Sequence, residues 1–265
     1  MVVPNNVAPP DPTISNSTKE NYVNKVYISV LGREPDSVEF ETGLTILNQH
    51  NLSVPDRKQF LDSVFSKPEY YDRLYEIART DLLNSLDTAD ITTNIAVLNF
   101  ALTNTTYQAL WPQIRFEITR LDTLMRIPSE LKSGVINVIE MHQRCVNNSF
   151  YDQLNMGTEN FVVSLFQHFL FRYPTTAELS QSSMMVDGQS SIVFLQDGKT
   201  KYEYMNIFFG CTNYFEGQVR DLYIRYLFRE PTTEETSAKT VRYKNSLDYK
   251  ALQKDILSDN EYVGL

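Results

Sequence analysis

Three arginines share one spacing. Arg33, Arg172 and Arg229 each stand two residues before a proline and six before a glutamate: Glu39, Glu178 and Glu235. Guanidinium groups so placed could form a stripe for an acidic partner, since arginine grips carboxylates with two parallel hydrogen bonds. A residue that recurs at one corner of a repeated unit more often serves the corner itself. The favoured reading is that each arginine falls in the last turn of its helix, where its charge suits the dipole, and pairs with a nearby carboxylate. Other chemistry-bearing residues are scattered. His50 and His142 stand alone, His168 falls on the polar side of a helix, and none has metal-ligand spacing. The chain has no Gly-x-Ser-x-Gly, P-loop or Gly-x-Gly-x-x-Gly, and choosing an acid and a base among 33 acidic residues would be arbitrary. Asp187-Gly188 and Asp197-Gly198 have the form of turns and lack calcium-loop spacing. The expectation is a non-enzymatic chain with no catalytic residue, cofactor or metal.

Cys145 and Cys211 lie in no CxxC, haem-attachment or zinc pattern. They read as buried free thiols, with one disulfide as the alternative. With 33 acidic and 24 basic residues the net charge is −9, so the surface repels phosphate backbones and no nucleic-acid partner is expected. No apolar run approaches the roughly 18–20 residues of a membrane span, and the group at Ile91–Leu102 is broken by Thr and Asn. The 265 residues contain 16 Tyr, 15 Phe and 1 Trp against 9 Gly, a balance that suits a helical chain with large side chains between its helices. At helical spacing most of these rings belong to the core rather than to a ligand groove.

Residues 1–20, with Pro4, Pro9, Pro10 and Pro12 among Asn, Ser and Thr, read as an extended, poorly ordered leader. The segment has neither the basic start nor the apolar stretch of a signal peptide. Either Met1 is a native start, or a signal was trimmed and a Met added; the polar, Pro-rich lead-in favours the second.

One pattern occurs three times without a gap: Val23 to Glu39, Val162 to Glu178 and Val219 to Glu235. Its apolar positions fall on one face of a helix, with Tyr27, Phe166 and Tyr223 as the large members. Pro35, Pro174 and Pro231 cannot continue that helix. Asp36/Glu39, Thr175/Glu178 and Thr232/Glu235 then have capping-box spacing and open a second helix. The copies close alike, on Phe60-Val64-Phe65 then Tyr70, Tyr204-Phe208-Phe209 then Tyr214, and Leu252-Ile256-Leu257 then Tyr262. Ser66 and Ser258 are expected to be N-caps of whatever follows.

Between copies one and two the sequence reads as helical near 72–86, 89–103, 106–126 and 128–147, with Pro112 and Pro128 in first turns. Tyr151-Asp-Gln-Leu154 faintly echoes Tyr71-Asp-Arg-Leu74, which leaves room for a degenerate copy. Copy two carries an insertion at 184–198. Met184-Met185-Val186 and Ile192-Val193-Phe194-Leu195, with Asp-Gly after each, are expected to form a small β-hairpin.

The order of aromatic helix, Leu-Gly-Arg-x-Pro corner, middle helix and closing Ser-x-x-Glu-Tyr resembles the linker domains of cyanobacterial phycobilisomes. It is also similar to short repeats of bacterial surface and exported proteins, and copy one resembles a helical domain of planctomycete envelope proteins that often stands beside haem-binding modules. Copies one and three carry the resemblance; copy two has Phe171 and Tyr173 in place of Gly and Glu. The acidic charge departs from the typically basic phycobilisome linkers, so a light-harvesting role is not expected. The resemblance implies an all-α, non-catalytic protein of an assembly or an envelope surface.

The expected fold is all-α, with tandem three-helix units, an atypical helical segment and one hairpin insertion. The divisions are a leader at 1–20, unit 1 at 21–75, an intervening region at 76–158, unit 2 at 159–216 and unit 3 at 217–265. The leading functional expectation is a structural or interaction subunit of a bacterial cell-envelope or secreted assembly. Its partners would be other protein subunits, with no transmembrane segment and a lipid tether upstream. An accessory ligand- or haem-protein-binding component of an envelope enzyme or redox system comes second, and a cytoplasmic scaffold third. Candidate contact residues are Met184, Val186, Ile192 and Phe194 of the hairpin, whose strand edges could pair with a partner strand, and the corner residues Arg33, Arg172 and Arg229.

Overall fold

In the computed structural model, which describes residues 14–265, the chain runs through sixteen α-helices and one antiparallel strand pair. The fold is all-α with a single small hairpin. Residues 1–13 of the leader lie outside the described residues. The leader reading does not extend to residue 20, because Ser15 accepts a hydrogen bond from the Thr18 amide and caps α1 (Asn16–Leu31).

The first copy comprises α1, α2 (Ser37–Leu47) and α3 (Val54–Phe65), and its closing Tyr70 lies at the start of α4 (Glu69–Leu83). Copy two begins with α10 (Thr158–Leu165) and a π-turn at Phe166–Leu170. It continues through α11 (Thr176–Val186), the hairpin and α12 (Lys201–Gly210). The expected division between units 2 and 3, at 216/217, falls inside a helix. A single helix, α13 (Thr212–Leu227), closes one and opens the other. Copy three then proceeds through α14 (Thr233–Ser246), α15 (Tyr249–Leu257) and the short α16 (Asn260–Val263).

The helix boundaries follow local chemistry. All three corners form complete capping boxes, at Asp36/Glu39, Thr175/Glu178 and Thr232/Glu235. The helices before them end on a residue in the left-handed region: Gly32, Phe171 and Phe228. Ser66 and Ser258 are C-caps, not N-caps; their amides bond back into α3 and α15, and Asp259 is the N-cap of α16.

The intervening region contains a fourth copy. After α4 and its left-handed cap Asn84 come α5 (Thr88–Ala101), a 3₁₀ turn (Thr105–Leu110), α6 (Trp111–Met125), α7 (Ile127–Lys132), α8 (Val138–Val146) and α9 (Ser149–Leu154). The helix expected over 128–147 is therefore interrupted, at Ser133-Gly134, where Gly134 takes a positive φ. Pro112 and Pro128 do lie in first turns. Met141, Cys145 and Val146 precede Tyr151 at the spacings of Leu252, Ile256 and Leu257 before Tyr262, and all of them are buried. Each closing tyrosine, Tyr70, Tyr151, Tyr214 and Tyr262, is at most 1% exposed.

The chain is thus a double unit repeated: α1–α9 matches α10–α16, with α4 in the place of α13. The hydrogen bonds of the closing tyrosines repeat with it. Tyr70 Oη donates to Gln253 Oε1 (2.5 Å), and Tyr214 Oη bonds His142 Nδ1 (2.8 Å), Gln253 and His142 being equivalent positions. Tyr262 Oη donates to Ser29 Oγ (2.9 Å), and Tyr151 Oη bonds His168 Nδ1 (3.1 Å), again at equivalent positions. A buried tyrosine needs a partner for its hydroxyl. Here the partner comes from the other half, so these bonds lock the halves together.

Candidate functional site

Each corner arginine is consumed by its own corner. Arg33 holds both oxygens of Glu39 (2.6 and 2.9 Å), Arg172 those of Glu178 (2.8 and 2.6 Å) and Arg229 those of Glu235 (2.9 and 2.8 Å). Each also donates to the carbonyl of the next residue and lies over the aromatic ring of its repeat: Tyr27, Phe166 or Tyr223. Glu69 and Glu261 add a second carboxylate to Arg33 and Arg229. The arginines sit beyond the helix end rather than in its last turn, because the left-handed residue has already turned the chain toward the next capping box. Hydrogen bonds from the arginines hold Glu178 and Glu235 down at about 2.

The hairpin is shorter than expected and shifted. Met184–Val186 continues α11, and the strands are β1 (Ser191–Val193) and β2 (Gln196–Gly198), three residues each, too short to offer much edge. Asp187-Gly188 ends the helix, Asp197-Gly198 belongs to β2, and the turn is Phe194-Leu195, both with positive φ. Phe194 tolerates this because its ring packs on Phe166 and Phe208, 6.0 and 6.2 Å away. It is an anchor. Ile192 and Met184 are exposed, and Val186 packs against the core. Cys145 and Cys211 are buried free thiols, and burial pushes Cys145 up to about 12.

Two features were not legible in the sequence. The first is an arm. The 3₁₀ turn, α6 and α7 are inserted where α14 passes almost directly into α15. Only Ile91 of α5 is buried, and the 3₁₀ turn buries nothing. Val97, Phe100, Tyr107, Leu110 and Phe116 are exposed along it, Phe100 to 73%. From Ile91 to Ile114 there is no charged residue.

The second is a cleft of about 330 Å³ where the shared helices α4 and α13 meet α8, α15 and the π-turn. Gly217 of α13 brings the π-turn close, since a Cβ there would lie 1.7 Å from the Phe169 carbonyl oxygen. His142, which stands alone in the sequence, and His168, expected on the polar side of its helix, both line this cleft. Burial lowers His142 to about 3 and lowers His168 as well, so both rings are neutral at pH 7. His50 lies elsewhere, bonded to Asp56 at 2.8 Å. Arg225 pairs with Asp221 (3.1 Å) on its own helix and with Asp81 (2.9 Å) on α4. Burial raises Asp221, and Arg225 opposes that rise. Gln218, only 4% exposed, also lines the cleft.

Among the described residues no three His, Cys, Asp or Glu side chains converge as metal ligands would. No helix there is long and apolar enough to cross a membrane. Compared with family models, curated proteins and solved structures, the chain matches none.

Proposed function

We propose that this protein is a non-enzymatic interaction subunit that joins other protein subunits through its arm. The observation that carries this reading is the row of Val97, Phe100, Leu110 and Phe116 on a helical hairpin that packs on itself and leaves these side chains in water. Large apolar side chains left in water close together along one short segment are the kind of surface that marks interaction sites. The uncharged stretch from Ile91 to Ile114 offers no basic cluster for an anionic membrane, so a protein face with apolar side chains is the better occupant. The resemblance to linker repeats supports the same role. Placement at a cell envelope, with a lipid tether upstream, rests on that resemblance and the Pro-rich lead-in, and a lipobox cysteine upstream in the gene would test it.

The experiment is quantitative co-purification from the native host, comparing the wild-type chain with a Val97→Ser/Phe100→Ser/Phe116→Ser variant. A defined partner retained at fixed stoichiometry by wild type and lost by the folded variant supports the proposal. Equal retention by both, or a wild-type chain that elutes alone, overturns it. The cleft supports a second reading, an accessory ligand-binding component, because it gathers titratable and amide groups from both halves.

A further inference from the structure

The repeat supplies an internal control for the cleft. Counted from Tyr70 and Tyr214, Leu74 of α4 is the equivalent of Gln218 in α13, and Ile77 is the equivalent of Asp221. All four line the cleft. The scaffold therefore accepts apolar residues at these two positions, and the polar pair on α13 is not required by the packing of the unit.

Gln218 makes no side-chain hydrogen bond with any described residue, although it is 4% exposed. Its amide is not sealed in the core but opens on the cleft, so a ligand there can take up the hydrogen bonds the amide otherwise makes to water. The charge balance of the lining is two carboxylates, Asp81 and Asp221, to one guanidinium, Arg225, and the imidazoles of His142 and His168 are neutral. Arg225 is already shared between both acids, while Asp81 Oδ1 takes no hydrogen bond from it. One negative charge is left over. Phe169, Phe171, Tyr226 and Tyr249 wall the same space, and aromatic faces attract cations.

We infer that the cleft binds a small organic cation, an ammonium or guanidinium compound of roughly amino-acid size. A charged head would sit against the free Asp81 Oδ1 and the Gln218 side-chain carbonyl, beside the Arg225–Asp221 pair, with its carbon chain along the rings. The volume of about 330 Å³ is at the small end for ligand sites, which sets the size. Among the described residues no side chains converge as metal ligands would, and the lining fits an organic head. This inference rests on the cleft reading and is independent of the arm.

Isothermal titration of the full chain tests it, with putrescine and agmatine as cations, glutarate as an anion and γ-aminobutyrate as a zwitterion. The cations should bind at least tenfold more tightly than the other two. Asp81→Asn and Gln218→Leu should each weaken them tenfold or more; the leucine copies Leu74, so the helical circular dichroism should not change. Cation binding that neither variant weakens overturns the inference. If glutarate or γ-aminobutyrate binds best and Gln218→Leu weakens it, the cation class fails and the cleft remains a ligand site. Silence toward every probe overturns both.

Discussion

Asp81 and Arg225 stand at the same place in two copies of one helix, eleven residues after Tyr70 and Tyr214, and they pair with each other at 2.9 Å. The duplication has placed opposite charges at equivalent points, where the two shared helices meet over the cleft. The two residues are not equally important to stability. Asp81 is exposed, and exposed ion pairs contribute about 0–1 kcal/mol, so Asp81→Asn should cost about 0.5 kcal/mol. Arg225 also neutralises the more buried Asp221, and Arg225→Ala leaves that carboxylate without its countercharge, at a cost of about 2 kcal/mol. Urea denaturation of the two variants measures both values, and equal costs would refute the asymmetry.

Gly217 and Gly210 should respond oppositely to the same substitution. At the crossing of α13 with the π-turn, a Cβ on Gly217 would meet the backbone of Phe169, which cannot swing aside. The matching crossing of α1 with α4 gains its clearance from the other side, at Gly32, whose neighbour is the flexible Arg73 side chain. Gly217→Ala should therefore cost about 3 kcal/mol through overpacking. Gly210, in the last turn of α12, has nothing within 4 Å of its Cβ position, so Gly210→Ala should be neutral or stabilise by up to about 1 kcal/mol. Thermal melts distinguish the signs, and a harmless Gly217→Ala would mean that the crossing is looser than described.

The corners were readable because each holds its arginine, proline and capping box within seven residues, from Arg33 to Glu39 and likewise twice more. Capping boxes and proline stops are local, and the structure forms them where the spacing places them. The fourth copy left only a faint echo, read one residue out of register against Tyr71 where Tyr70 is the equivalent, because Asn84-Ser85-Leu86-Asp87 replaces the Arg-x-Pro corner and only the N-cap, the apolar spacing and Tyr151 remain as marks. The shared helices were hidden for a different reason. α13 carries a closing pattern and an opening pattern end to end, which looks like a boundary in one dimension and is one continuous rod in three. The hairpin was misplaced because its turn uses Phe194-Leu195 where glycine is usual, and only the Phe166 and Phe208 rings explain that choice. The cleft draws on residues from Leu74 to Gln253, so no local spacing could reveal it.

The left-handed helix caps give a third expectation. Gly32 and Phe228 are equivalent, and both have positive φ, 74° and 56°. A side chain in this region costs about 1–2 kcal/mol, partly offset by the greater freedom glycine has when unfolded. Phe228 is 84% exposed and loses little by truncation. Phe228→Gly should raise stability by about 0.5–1 kcal/mol, whereas Gly32→Ala should lower it by a similar amount. Differential scanning calorimetry reads both, and destabilisation by Phe228→Gly would show that its ring has a role beyond the cap.

Acid should weaken the fold in two separable stages. His142 is held neutral in the folded state, with its pKa lowered to about 3 by burial first and by Arg225 second, against 6.5 when unfolded. The unfolded chain thus takes up a proton at a pH where the folded one does not. The stabilisation is complete above pH 6.5 and is lost as the pH falls toward 3, which gives stability a positive slope with pH. His168 acts in the same direction. The carboxylates of Glu178 and Glu235, held at about 2 by their arginines, lose their contribution only below about 4.5, the ordinary glutamate value. Between pH 6.5 and 4.5 the histidines dominate. Because the His142 ring opens on a solvated cleft, its share there is about 1–2 kcal/mol rather than the full shift. His142→Gln installs the residue found at the equivalent Gln253, where an amide already satisfies a closing tyrosine. Urea midpoints at pH 7.0, 5.5 and 4.5 should fall for the wild type and fall distinctly less for His142→Gln, and parallel declines would remove His142 as the cause.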